Sequence, residues 1–139
     1  MTQEEIQEYN KRCALFLGGI YSNHAEAWGF GNAEVIKTPI NFDKKIYHGV
    51  IEAERFEKDL KFHSDWNWIM EVVEKIQLLD IVHDNTRSYD SVFKTYECTF
   101  SPSYKTHDFG YIRGTSKTSE KEAVVQAINQ FLLWYKNPR

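Results

Sequence analysis

Residues 119–135 carry the pattern that most restricts what this chain can become. Ser119-Glu120-Lys121-Glu122 fits a capping box, in which a serine and the glutamate three residues on satisfy each other's backbone N–H groups. From there Val124, Ala127, Ile128, Phe131, Leu132 and Tyr135 recur at helical spacing, and Pro138 lies past the end. A helix with one apolar stripe has to bury it against another layer.

Two further stretches impose the same demand. Ser64-Asp65 can cap a helix running to about Leu79, along which Trp66, Ile69, Val72, Val73, Ile76 and Leu79 trace a broad apolar face. Near the start, Thr2 is the N-cap of a helix over Gln3 to Leu17. Ile6, Tyr9, Cys13, Phe16 and Leu17 lie on one side of it, and Gly18-Gly19 stops it by readily taking the left-handed conformation.

The strands are predicted between the last two helices. Ser91 to Phe100 alternates, with Val92, Tyr96, Cys98 and Phe100 on one face and Lys94 as the exception. Ser101-Pro102-Ser103 turns the chain into a second strand over Tyr104 to Arg113, and the tight spacing implies an antiparallel pair. Asp80 to His83 adds a short strand, followed by a polar turn over Asp84 to Asp90. The Ile20–Leu60 signal is poor: an aromatic turn at Trp28-Gly29-Phe30-Gly31-Asn32, short strands over Glu34–Ile40 and Ile46–Ala53, and a weak helical tendency over Glu52–Leu60. The expected architecture is α+β, with three main helices packed on one face of a small antiparallel sheet. At 139 residues it reads as a single domain spanning 1–139.

Composition narrows the function classes. Charged residues make up 27% and hydrophobic residues 42%, which excludes wholesale disorder, and a net charge of −3 gives no global attraction to nucleic acid or anionic membranes. The first eight residues are acidic and polar, and no window resembles a membrane span, so the expected compartment is the cytoplasm, with no membrane partner. Cys13 and Cys98 are far apart and read as reduced core thiols. His24, His48, His63, His83 and His107 show no paired ligand spacing, so no metal, no cofactor and no catalytic residue is assigned. No phosphate-binding glycine loop or nucleophile elbow occurs.

Two groups stand out as candidate binding residues. The first is Phe62-His63-Ser64-Asp65-Trp66-Asn67-Trp68, where a helix N-terminus flanked by His63, Ser64, Asp65 and Trp68 could hold an anion or stack a base, or could simply be a capped helix start. Trp68 lies roughly 200° around the helix from Trp66, so both cannot pack on one flat sheet. Trp68 must therefore meet residues 20–60, another subunit or a ligand. The second group is Lys105, His107, Arg113, Lys117 and Lys121, interleaved with Tyr104, Phe109 and Tyr111, a mixture suited to nucleotide or nucleic acid and equally to a charged strand edge.

The stretch from Lys61 to Ile76 resembles a segment of small uncharacterised proteins of Bacteroidetes phages and prophage-like elements, which carry His-Ser/Thr-Ser-Trp-Asp-Trp-Leu-Met-x-Val-Val-Glu-Lys-Ile. Asp65 and Asn67 stand here where the family has other residues. The C-terminal helix from Glu122 to Tyr135 and the early Phe16-Leu17-Gly18 are similar as well. No activity attaches to that family. The resemblance implies a phage accessory protein acting in the bacterial host cytoplasm.

The leading expectation is thus a non-enzymatic protein that binds a host or phage macromolecule. A second is a small-ligand binder that sequesters a nucleotide signal of anti-phage defence, using the His63–Trp68 helix start and Arg113. A small hydrolase is the third. Trp68 and Trp134 exceed what one small core readily buries, which points to a homo-oligomer.

Overall fold

The computed structural model of the chain describes residues 1–22, 26–31, 51–103 and 111–136. The chain is α+β, with three main helices and antiparallel sheet, as the sequence predicts. Its strands fall into two three-stranded sheets where one was expected. The chain divides into two compact units, 1–60 and 61–139, each with its own sheet.

The first unit begins with α1 (Gln3–Phe16). Thr2 caps it through a complete capping box: Glu5 N donates to Thr2 Oγ1 at 3.2 Å and Thr2 N donates to Glu5 Oε1 at 3.1 Å. Those hydrogen bonds hold the Glu5 carboxyl below its ordinary range. Tyr9, Asn10, Cys13 and Ala14 are buried, and Asn10 Nδ2 donates to Leu60 O at 3.3 Å. Gly18 takes a φ of 84° and ends the helix as expected.

The sheet of this unit has the order β1 (Ile20–Ser22), β2 (Ala27–Gly31), β3 (Ile51–Phe56), all antiparallel. Two expectations fail here. Trp28 to Gly31 is the central strand instead of a turn, and Glu52 to Phe56 is strand, followed by a 3-10 turn over Glu57–Asp59 instead of a helix. The glycines of β2 look like turn residues, yet they leave Trp28 and Phe30 to fill one buried face, with a register shift at Phe30/Gly31. In β3, pairing to β2 outweighs the helical propensity of its residues. The expected strand over Glu34–Ile40 and the start of the one over Ile46–Ala53 lie outside the described residues.

The second unit contains α2 (Trp66–Gln77), β4 (Val82–Asp90), β5 (Thr95–Pro102), β6 (Ile112–Ser116) and α3 (Glu120–Lys136). The sheet order is β4-β5-β6, antiparallel throughout. Register puts Arg87, Cys98 and Gly114 in one row across it. Arg87 Nη1 reaches Met70 Sδ of α2 at 3.6 Å, and Gly114 lies against the backbone of α3. Both helices therefore cover the same face. Between them and the sheet lie Ile69, Val72, Val73, Ile76, Phe100, Val124, Ile128 and Phe131, each fully buried. Phe100 and Phe131 meet at 5.7 Å between ring centroids.

The predicted polar turn over Asp84 to Asp90 is overturned, because those residues form most of β4. Its pattern hid the strand: β4 is an edge strand exposed along most of its length, so alternation of apolar residues is lost. The turn comes later. Asp90 Oδ1 accepts from Val92 N at 2.9 Å and Phe93 N at 3.1 Å, and Lys94 adopts a φ of 53°. Val92 thus sits at a hairpin tip and not on β5. Of the strand expected over Tyr104–Arg113, only Ile112 and Arg113 lie in β6, which runs on to Ser116; Tyr111 precedes it, and residues 104–110 lie outside the described residues. At the start of α3, Glu122 N donates to Ser119 Oγ at 3.0 Å, but Ser119 N donates to Ser116 Oγ at 3.2 Å and Glu122 Oε2 accepts from Thr118 Oγ1 at 2.9 Å. Half of the expected capping box forms, and Ser116 supplies the other half.

Candidate functional site

The chain from Lys61 to Trp68 is organised by backbone turns. Ser64 N and Asp65 N both donate to Lys61 O, at 3.1 and 2.9 Å, which brings Asp65 into the N-cap position of α2. Asp65 Oδ1 accepts from Asn67 N at 2.9 Å. A carboxylate at a helix N-terminus takes up the positive end of the dipole, which leaves that end poorly suited to a second anion. Phe62 is fully buried, and Trp68 packs edge-on to it with centroids 5.0 Å apart. Burial lowers the pKa of half-buried His63, so it favours the neutral form. Ser64 is exposed.

Trp66 lies beside α3. Lys121 Nζ sits 5.9 Å from its ring centroid, a cation–π contact that joins one member of each sequence-derived group. Arg113 is elsewhere. It pairs in register with Thr99, one residue out of phase with Gly114, and so lies on the sheet face turned away from α2 and α3. The structure does not bring Arg113 to the start of α2. Lys117 is exposed, Tyr111 is exposed, and Lys105 and His107 lie outside the described residues. Trp134 is half-buried and contacts Phe131 at 5.9 Å.

The thiols are buried, one in each unit. Burial pushes the Cys13 thiol up to about 12, with the Tyr9 hydrogen bond and the Arg12 charge pulling the other way. Cys98 is also raised by burial, and its Sγ accepts from Asn85 Nδ2 at 3.3 Å. Neither is held as the nucleophilic thiolate. Among the described residues, no cluster of three His, Cys, Asp or Glu side chains is placed to hold a metal ion. Among them too, no helix is long and apolar enough to cross a membrane.

A pair of adjacent exposed apolar side chains in the second unit was not singled out from sequence. Val92 is 81% exposed and Phe93 72% exposed at the β4–β5 turn, while Tyr89, 51% exposed, pairs with Tyr96 at 4.7 Å just behind them. Asp90 and Lys94 bracket the tip with opposite charges. The sequence signal was the Asp-Ser-Val-Phe-Lys pentamer, an Asx turn between strands of nine and eight residues. Val92 and Phe93 masked it by suiting a strand. No protein family's sequence profile, no curated protein and no solved structure matches this chain.

Proposed function

We propose that this chain is a non-enzymatic binding protein of a phage or mobile element, acting in a bacterial cytoplasm, and that it engages a protein partner through the β4–β5 hairpin tip. The observation that carries the reading is the adjacent exposure of Val92 and Phe93 on a turn that Asp90 holds in place. Single exposed apolar side chains are common, but two at the end of a built turn, backed by an exposed tyrosine, offer a compact apolar anchor. A partner with an apolar pocket rimmed by charge fits Asp90 and Lys94. The resemblance of residues 61–76 to phage and prophage-like proteins supports the setting.

The nucleotide-binding reading has less support, because Asp65 occupies the α2 N-terminus and Arg113 lies on the far face of the sheet. The hydrolase reading has no positive support.

Affinity capture from host lysate with the wild-type chain and with a Val92→Ser/Phe93→Ser variant tests the proposal. The wild type should recover one protein reproducibly and the variant should lose it while keeping its melting temperature. Recovery of nothing specific, or equal recovery by both, would overturn it.

A further inference from the structure

Both helix starts of the second unit lie at the hairpin-tip end of its sheet. Val82 N donates to Leu79 O at 3.0 Å, so β4 begins beside the end of α2 and runs back along it. Arg87 then meets Met70, and Trp66 lies one helical turn nearer the tip. β6 ends at Ser116, opposite Tyr96, and Ser119 N donates to Ser116 Oγ, which starts α3 at that end too. The contact of Lys121 with the Trp66 ring makes the two helix starts neighbours.

The charged groups at this end divide by sign. Asp65 and Asp90 accept backbone N–H groups of their own turns. Glu120 and Glu122 occupy the first turn of α3, where the helix dipole favours an anion, and Glu122 also accepts from Thr118 Oγ1. Glu97 lies on the other face of the sheet, in register with Thr115. These carboxylates are thus answered within the chain or turned away. The cations Arg87, Lys94, Lys117 and Lys121 are not: none of them pairs with a carboxylate among the described residues. Arg87 rests on a thioether sulfur, a weak acceptor, and Lys121 on the face of a ring. Exposed Arg87 therefore keeps a planar fork of donors that suits a carboxylate bidentately.

We infer that the protein engaged by the hairpin tip is acidic beside its apolar pocket, and that its carboxylates pair with Arg87 and Lys121 while Val92 and Phe93 enter the pocket. The inference rests on the tip reading and names the chemistry of the partner. Three strand residues separate Arg87 from Asp90, about 10 Å at the usual rise, so an extended segment of the partner passes from apolar contact to guanidinium in about three or four residues. Phosphates would also suit the cations. The chain's net charge of −3 and the apolar tip, where Val92 has no ring to stack on a base, favour a carboxylate-bearing protein instead.

Selection of random displayed peptides on the immobilised full chain tests this. Enriched peptides should join an apolar side chain to carboxylates about three or four positions away. Binding of the synthesised peptides, read by fluorescence anisotropy, should weaken about tenfold in Arg87→Glu/Lys121→Glu and should weaken with added salt. A Lys11→Glu/Lys58→Glu variant, with the same total charge, should bind as the wild type does. Thermal unfolding shows that each variant is folded, and a glutamate at position 121 suits the first turn of α3.

Peptides that need Val92 and Phe93 but carry no excess of carboxylates would overturn this inference and leave the tip reading standing. Peptides that need Arg87 and Lys121 but survive Val92→Ser/Phe93→Ser would uphold the acidic contact and overturn the tip reading. A labelled oligothymidylate that binds the chain and is released by Arg87→Glu/Lys121→Glu would assign the cations to nucleic acid and overturn the inference. Self-association abolished by the same variant, read by sedimentation velocity, would assign them to a second copy and overturn it as well.

Discussion

Trp68 meets Phe62 edge-on, with ring centroids 5.0 Å apart, and so finds its partner six residues earlier in its own chain. By helix geometry Trp68 had to be covered by something other than the sheet. Residues 20–60, a subunit and a ligand were the candidates. The turn at Lys61–Asp65 brings Phe62 back over the first turn of α2 and gives Trp68 a ring contact within its own unit.

Phe62 is fully buried, so Phe62→Ala should destabilise the fold by about 3–5 kcal/mol. Trp68 is only half-buried, and Trp68→Ala should cost less. The double variant should fall short of additivity by about 1 kcal/mol, the worth of an aromatic pair beyond its burial. Urea unfolding curves of the three variants measure this. Strict additivity would mean the rings contribute nothing to each other.

Gly114 admits no side chain. A Cβ there would come within 2.1 Å of Ala123 O and 2.5 Å of Ala127 N, both helix backbone, so relief requires α3 to move as a unit. Gly114→Ala should destabilise by about 3 kcal/mol, at the upper end of overpacking effects. A melting temperature equal to that of the wild type would show that α3 sits farther from β6 than this.

Asp65 is expected to act as a cap. Asp65→Ala removes the acceptor for Asn67 N and should cost about 1 kcal/mol, whereas Asp65→Asn keeps an acceptor and should cost much less. Equal losses from the two substitutions, measured by thermal unfolding, would point to a need for the charge itself.

Stability should fall in alkali. Burial raises Cys13 from its ordinary 9.0 to about 12, and raises Tyr9 well above its ordinary 10.0. The unfolded chain releases the Cys13 proton near pH 9 while the folded chain holds it to about pH 12. The unfolded state thus binds fewer protons in that window, and stability declines as pH rises through it. Below pH 9 this contribution is fully present. Melting temperatures across pH 8–11 should decline from about pH 9, with a shallower decline in Cys13→Ala. A flat profile through pH 11 would contradict the burial of these groups.

The sequence by itself determined the three helices and most of their ends. Each is a local matter: apolar residues at three- and four-residue steps, a Thr2, Asp65 or Ser119 side chain within reach of the next turn, and glycine at position 18 where φ is positive. It also placed Cys98 and Phe100 on one inward face of β5, because that strand is central and its alternation survives. What only the tertiary structure decided is where the other strands run. β4 has polar residues on both sides because it is an edge, and β2 is a strand despite its glycines because it pairs on both sides, with β1 and β3. Lys121 meets Trp66, and Arg113 does not meet Trp68, because sheet register and helix placement set those distances. Residues 55 and 45 positions apart have no local interaction that could encode them.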